Sequence, residues 1–354
     1  MNHDDRNKKG GARRSRALVL GAGGPVGRTW QSGLIAGLIE REIDLGDASL
    51  IIGTSAGAIV GAQLALGLKF AAPSKFDFAG QPASASLSDV SGLLAAMARA
   101  MRSPEPEIER AKIGAFAIEA QTISEEDSIA RTAFAQIRGH SWPTRFRATA
   151  VNARTGKLQV WDASSGATLE RAVASSAAIP GVFPPVEIDS DLLMDGAIAA
   201  NTPLRLAVQF GASRIIILPT GYACALKDPP TRAVGKILHA ITLMIAWQLM
   251  RELELIPESV DVHLVPTLCP LAVSPFDFSA SHELIERAAE SSKKWIEEGG
   301  LTRRALRKSL RLIVIEFLRR HRTGGPTPTS RGTPRRTRPR NCVPLWNEAA
   351  CRAF

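Results

Sequence analysis

Twice in its first 66 residues the chain runs from a short aliphatic stretch into a glycine-rich turn and out into a helical pattern. Ala17-Leu18-Val19-Leu20 runs into Gly21-Ala22-Gly23-Gly24-Pro25-Val26-Gly27, after which Trp30, Leu34, Ile35, Leu38 and Ile39 recur at helical spacing. Ser49-Leu50-Ile51-Ile52 then runs into Gly53-Thr54-Ser55-Ala56-Gly57 and a helix over Ala58–Leu66, with Gly67 placed to stop it. Short apolar runs without polar alternation are strands buried on both faces, which occur in parallel sheets covered by helices. Strand–helix repeats of this kind predict an α/β fold with right-handed crossovers.

The rest of the text extends that reading. Ser-, Ala- and Pro-rich loops over residues 71–140 alternate with helical patterns at Val90–Arg102 and Ile108–Ala120, and Ser124-Glu125-Glu126-Asp127 has the form of a capping box. We read this segment as a helical insertion over the sheet, a plain helical layer in preference to a lid or lipid-facing wall. Phe146–Val151 and Leu158–Trp161 are strand-like and flank a turn, Leu169–Ala178 is helical, and Leu192–Met194 is a strand followed by Asp195-Gly196. Helices over Pro203–Phe210, Val234–Leu253 and His282–Glu298 and strands over Arg214–Leu218 and Val262–Val265 complete the pattern. The expected organisation is a polar leader (1–15), one three-layer α/β/α domain (16–302) and a basic, largely disordered tail (303–354). Trp30, Leu34 and Leu38 read as core, and Met244, Trp247 and Met250 as core in preference to the lining of an acyl channel.

Charge is informative only once it is mapped. The net charge is +10, yet residues 303–354 carry 14 Lys and Arg against only Glu316 and Glu348. The other 302 residues hold 30 basic and 32 acidic side chains, so the domain itself is nearly neutral. The tail suits solvent, an anionic membrane surface or nonspecific nucleic-acid contact, and no specific nucleic-acid motif accompanies it. The leader has no apolar signal-peptide core, and Ala240–Met250 is too short to span a bilayer, so a cytoplasmic protein meeting membranes from the surface is expected. Cys224, Cys269, Cys342 and Cys351 form no metal-ligand spacing, and neither a metal nor an organic cofactor is called for.

Three motifs carry chemistry. Gly53-Thr54-Ser55-Ala56-Gly57 is G-x-S-x-G between a strand and a helix, where small neighbours permit a sharp turn that exposes the serine hydroxyl. The plainer reading is a small-residue connection with an N-capping serine. Gly21–Gly27 can present backbone N–H groups to an anion, whether phosphate or tetrahedral oxyanion. As a dinucleotide fingerprint it fails at Val26, where a glycine is needed. Asp195-Gly196 follows a short strand, where a partly desolvated carboxylate can take a serine proton; the plainer reading, and the commoner one for this pair alone, is a turn. Among the histidines, His3 and His321 lie in the leader and tail, while His140, His239, His263 and His282 sit in no strand-end loop motif.

In this order, with Ala174-Ser175-Ser176-Ala177-Ala178-Ile179-Pro180-Gly181-Val182-Phe183-Pro184-Pro185-Val186 before the acid and Asn201-Thr202-Pro203 after it, the motifs resemble the patatin-like phospholipase family of serine lipid acyl hydrolases. The resemblance covers roughly residues 16 to 300. It implies a Ser–Asp dyad with Ser55 as nucleophile and Asp195 as general base, and Gly23 and Gly24 as oxyanion-hole donors, with Ala56 N–H as an extra donor. Gly27, Gly53, Gly57 and Gly196 would support the motifs, and the substrate would be a lipid ester at a membrane surface. Where the family reads G-G-G-x-R/K-G, this chain has Ala22 and Val26, and Pro25 has no N–H to offer. Arg28 is the nearest basic replacement. The competing classes are a dinucleotide-binding oxidoreductase and a non-catalytic regulatory protein acting through its tail.

Overall fold

The computed structural model describes residues 15–70, 87–130, 132–220, 233–267 and 281–302. Residues 1–14 of the leader, the basic tail, the four cysteines and the start of the insertion, residues 71–86, lie outside the described residues. The first repeat is β1 (Arg16–Leu20) and α1 (Gly24–Ile39), the second β2 (Leu50–Thr54) and α2 (Ala56–Ala65). The insertion contributes α3 (Leu87–Ala100), α4 (Pro106–Glu119), α5 (Glu125–Ala130) and α6 (Thr132–Ala135). Next come the hairpin β3 (Phe146–Asn152) and β4 (Leu158–Trp161), helix α7 (Leu169–Ser176), and the hairpin β5 (Val186–Ile188) and β6 (Asp191–Asp195). The chain continues through α8 (Leu204–Gln209), β7 (Arg214–Leu218), α9 (Ala233–Leu255), β8 (Asp261–Leu264) and α10 (Ser281–Glu297).

Hydrogen-bonded neighbours in the sheet follow the path β5-β6-β3-β2-β1-β7-β8, with β4 a further antiparallel partner of β3 on the edge opposite β2 and β6. β3, β2, β1, β7 and β8 are mutually parallel, and β6 is antiparallel to β3. Side chains alternate between its two faces, as strand geometry requires. Leu18 and Leu20 of β1 join the core beneath α1, α2, α7 and α10, whereas Ala17 and Val19 join the one beneath α8 and α9. The result is the expected three-layer α/β/α arrangement around a mostly parallel sheet. Trp30, Leu34 and Leu38 of α1 are buried as expected. Among the described residues, no helix is long and apolar enough to cross a membrane.

Four details depart from the sequence reading. The insertion is not a single layer: Ala96, Ile113 and Ala117 of α3 and α4 pack with Val151 and Met194 on one face, while Phe134 of α6 joins the core on the other. Strand β5 was not expected. Its signal is the alternation Val186-Glu187-Ile188 followed by Asp189-Ser190, both at positive φ (50° and 70°), a two-residue reversal into β6. Asp195 is the last residue of β6 rather than the first residue after it. Trp247 is not core: it is 40% exposed, with the Arg251 guanidinium 5.6 Å above its ring, and Met244 and Met250 are half-buried. The serine half of the capping box forms: Ser124 Oγ accepts the Asp127 N–H and donates to the Asp127 carboxylate.

Candidate active site

Ser55 stands between β2 and α2 at φ 55°, ψ −120°, a conformation that costs a non-glycine residue about 1–3 kcal/mol. The turn is sharp because the residues two places before and after Ser55 are glycines. A Cβ on Gly53 would lie 2.3 Å from the Gly57 carbonyl oxygen, and one on Gly57 would lie 2.3 Å from the Leu20 carbonyl oxygen. The two glycines therefore let α2 fold back onto its own strand and onto β1. The Ser55 carbonyl accepts the Ala58 and Ile59 N–H groups and opens the helix. Its own N–H donates to Ser176 Oγ at 2.9 Å, from the last turn of α7.

Asp195 reaches the serine through the register of the sheet. β4 pairs with Ala148–Val151 of β3 and fills one of its edges. β2 pairs with residues 146–149 and β6 with residues 150–152, so these two share the other edge. β2 is parallel to β3 and β6 antiparallel, so their carboxyl ends converge: Thr54 lies opposite Thr149 and Asp195 opposite Ala150. Gly196 then has to turn against Thr149, where a Cβ would lie 2.4 Å from the carbonyl oxygen. The Asp195 N–H donates to the Ala178 carbonyl at 2.9 Å, and its carboxylate accepts the Ala197 N–H at 2.8 Å. The carboxyl group is buried, with the Ser55 hydroxyl near enough to favour its ionised form. Burial pushes its pKa from 3.8 up to about 7, and the Ser55 hydroxyl and the Ala197 N–H hold it from rising further.

The glycine loop emerges beside this pair, since Leu20 lies opposite Gly53 in the β1–β2 ladder. Its N–H groups can be accounted for one by one. Gly21 donates to Leu218, Ala22 to Asn201 and Gly27 to Gly23, and Pro25 has no N–H. Gly23, Gly24 and Val26 remain, at the positive end of α1, with no acceptor among the described residues. Gly24 has φ 58°, which glycine adopts without strain. Gly23 and Gly27 both face Thr220, two residues beyond β7; a Cβ on Gly23 would lie 2.4 Å from the Thr220 Cβ. Ala56 begins α2 directly after the serine.

The histidines stand apart from this cluster. His263 of β8 is three strands away from β2; its Nδ1 bonds the Gly300 carbonyl at 3.1 Å and its Nε2 accepts from Arg214 at 3.3 Å. His140 is exposed on the approach to the amino end of β3, the opposite end of the sheet from Ser55. His282 is exposed at the start of α10, 3.9 Å from Glu286. The side chain of His239, like His3 and His321, lies outside the description. Arg28 is buried within α1. Among the described residues, no group of His, Cys, Asp or Glu side chains has the makings of a metal site. Sequence reasoning gave no role to Ser176, Ala178, Asn201 or Thr220 individually. The first three lie in the two stretches flanking Asp195 that carry the resemblance, whereas Thr220 has no local signal.

A strained strand-to-helix serine beside a buried carboxylate, at the carboxyl edge of an α/β/α sandwich, is the layout of a hydrolase. The chain belongs to the patatin-like phospholipase family of lipid hydrolases, whose family model matches residues 18–208 and so spans the glycine loop, Ser55 and Asp195. Among solved structures, VipD from Legionella pneumophila is similar at 13% identity and a TM-score of 0.42, over 81% of this chain and 67% of that one. The type III effector protein ExoU is similar at 16% identity and a TM-score of 0.35, over 88% of this chain, which spans 60% of that one. Comparison with curated proteins returned no significant match.

Proposed function

We propose that the protein hydrolyses carboxylic ester bonds of lipids through an acyl-enzyme, with Ser55 as nucleophile and Asp195 as general base. The observation that carries this reading is the convergence of the strained Ser55 and the buried Asp195 at strand ends facing the consecutive residues Thr149 and Ala150, with burial pushing the Asp195 carboxyl up to a pKa of about 7. A base of that pKa is ionised in a large fraction of molecules at neutral pH and is far more basic than an exposed aspartate. Asp195 takes the serine proton as Ser55 Oγ attacks the ester carbonyl. The tetrahedral oxyanion is met by the N–H groups of Gly23 and Gly24. Collapse expels the alcohol, which leaves with the proton from Asp195. Water then attacks the acyl-enzyme with the same carboxylate as base, the fatty acid departs, and Ser55 is restored.

The test is turnover of a short and a long p-nitrophenyl ester by wild type, Ser55→Ala and Asp195→Asn, with fluorophosphonate labelling in parallel. The expected result is that labelling and turnover vanish in Ser55→Ala and turnover is lost in Asp195→Asn. Activity that survives Ser55→Ala would overturn the reading. A folded wild type that neither labels nor turns over would point instead to the binding-protein class.

A further inference from the structure

The peptide unit between Ala22 and Gly23 is held from its carbonyl side. Thr220 Oγ1 donates to the Ala22 carbonyl, and Asn201 Nδ2 donates to the same oxygen at 3.4 Å. The Asn201 carbonyl in turn accepts the Ala22 N–H at 3.0 Å. Thr220 is buried and seated in a notch that exists because residues 23 and 27 are glycines: Cβ atoms there would lie 2.4 Å from its Cβ and 3.0 Å from its Cγ2.

A trans peptide is planar, so its C=O and N–H point in opposite directions. Fixing the Ala22 carbonyl therefore fixes the Gly23 N–H. The strand order says where that N–H points. β1 lies between β2 and β7, so Thr220 flanks the loop on the β7 side and Ser55 on the β2 side. A carbonyl drawn toward Thr220 turns its partner N–H away from β7, toward the serine.

We infer that Thr220, assisted by Asn201, is a positioning residue for the oxyanion donor Gly23 N–H. The inference rests on the reading of Gly23 as such a donor. It also explains how the loop works with alanine as its second residue. Position 22 contributes its carbonyl as a handle, and the alanine itself is buried.

Two variants separate hydroxyl from packing. Thr220→Val keeps the shape that fills the notch and removes the donor; Thr220→Ser keeps the donor and removes the methyl. The expected result for Thr220→Val is a kcat about 10- to 100-fold lower on p-nitrophenyl esters, below the full cost of losing a donor, with KM within about twofold. Thr220→Ser should recover most of kcat. A second readout needs no activity. Labelling alanine with 13C at the carbonyl and glycine with 15N isolates the four Ala–Gly peptides of the chain, at Ala22, Ala36, Ala56 and Ala79. The Ala22–Gly23 correlation, assigned by its loss in Ala22→Ser, should move in Thr220→Val and stay near its wild-type position in Thr220→Ser. An unmoved correlation in Thr220→Val overturns the inference, as does a Thr220→Ser loss of kcat equal to that of Thr220→Val. A wild type without Ser55-dependent turnover would instead sink the hydrolase reading and leave the correlation to decide on Thr220.

Discussion

Ser55 and Asp195 meet because the strands that carry them run toward each other along one edge of β3, ending opposite the consecutive residues Thr149 and Ala150. The pair is therefore set by backbone register rather than by a flexible loop. One short segment ties both residues in place. Ser176 Oγ accepts the Ser55 N–H, and two residues later the Ala178 carbonyl accepts the Asp195 N–H. If Ser55 and Asp195 act as the proposed nucleophile and base, strand ends give them a more rigid seat than a loop would.

The first prediction concerns pH and rate. Only the ionised carboxylate can accept the Ser55 proton, and burial raises the carboxyl pKa to about 7. The kcat/KM of an ester should rise about tenfold per pH unit below that value and level off above it. A profile that is flat from pH 5 to 8 would mean that the group governing turnover has an ordinary carboxyl pKa.

The same burial has a consequence for stability. The folded chain keeps a proton on Asp195 between pH 3.8 and about 7 that the unfolded chain has released, so stability falls as pH rises through that window. Asp195→Asn removes the ionisation while still accepting the Ala197 N–H. Its melting temperature should match wild type near pH 4 and exceed it by several degrees above pH 7, although turnover is lost. Parallel melting curves across the pH range would show that this carboxyl group does not titrate differently in the fold.

Much of this was legible in the residues. The aliphatic runs Ala17–Leu20, Leu50–Ile52 and Arg214–Leu218 lack polar alternation, which marks strands covered on both faces, and each is found as a strand. Gly53 and Gly57 marked the elbow because only glycine permits the 2.3 Å approaches found there. What stayed hidden depends on partners distant in sequence. The meeting of β2 and β6 on one edge of β3 is a matter of pairing, not of local pattern. Thr220 gives no sign of its role because the groups it serves lie some 200 residues earlier. Trp247 was misplaced because an apolar helical stripe shows which residues share a face, not whether a long side chain on its margin is covered.

Ser176 offers a test of how the elbow is maintained. Strained backbone persists only where its surroundings over-determine it, and the Ser55 N–H has its acceptor in Ser176 Oγ. Ser176→Ala leaves that buried donor without a partner, at about 1–3 kcal/mol. The melting temperature should fall by several degrees. Fluorophosphonate labelling of Ser55 should slow by about tenfold or more, measured as a rate at saturating folded protein. Labelling at the wild-type rate despite a lowered melting temperature would mean that Ser176 serves the fold and not the nucleophile.

The last prediction separates two glycines by what surrounds them. Gly57→Ala would drive its methyl to within 2.3 Å of the Leu20 carbonyl oxygen and 2.8 Å of the Gly21 carbonyl oxygen, both backbone. Neither can step aside without moving β1 or the loop that follows it, so α2 has to lift away from the sheet. The cost should be at least the roughly 1–3 kcal/mol of an overpacked core, and Ser55 labelling should disappear with it. Gly92 lies inside α3 with nothing within 4 Å of where a Cβ would stand. Gly92→Ala should stabilise the protein by about 0.5–1 kcal/mol through helix propensity alone, and leave turnover unchanged. Denaturant melts of the two variants beside wild type decide the matter. A Gly57→Ala protein that melts and labels like wild type would show that α2 does not need this close seat on β1 to present the serine.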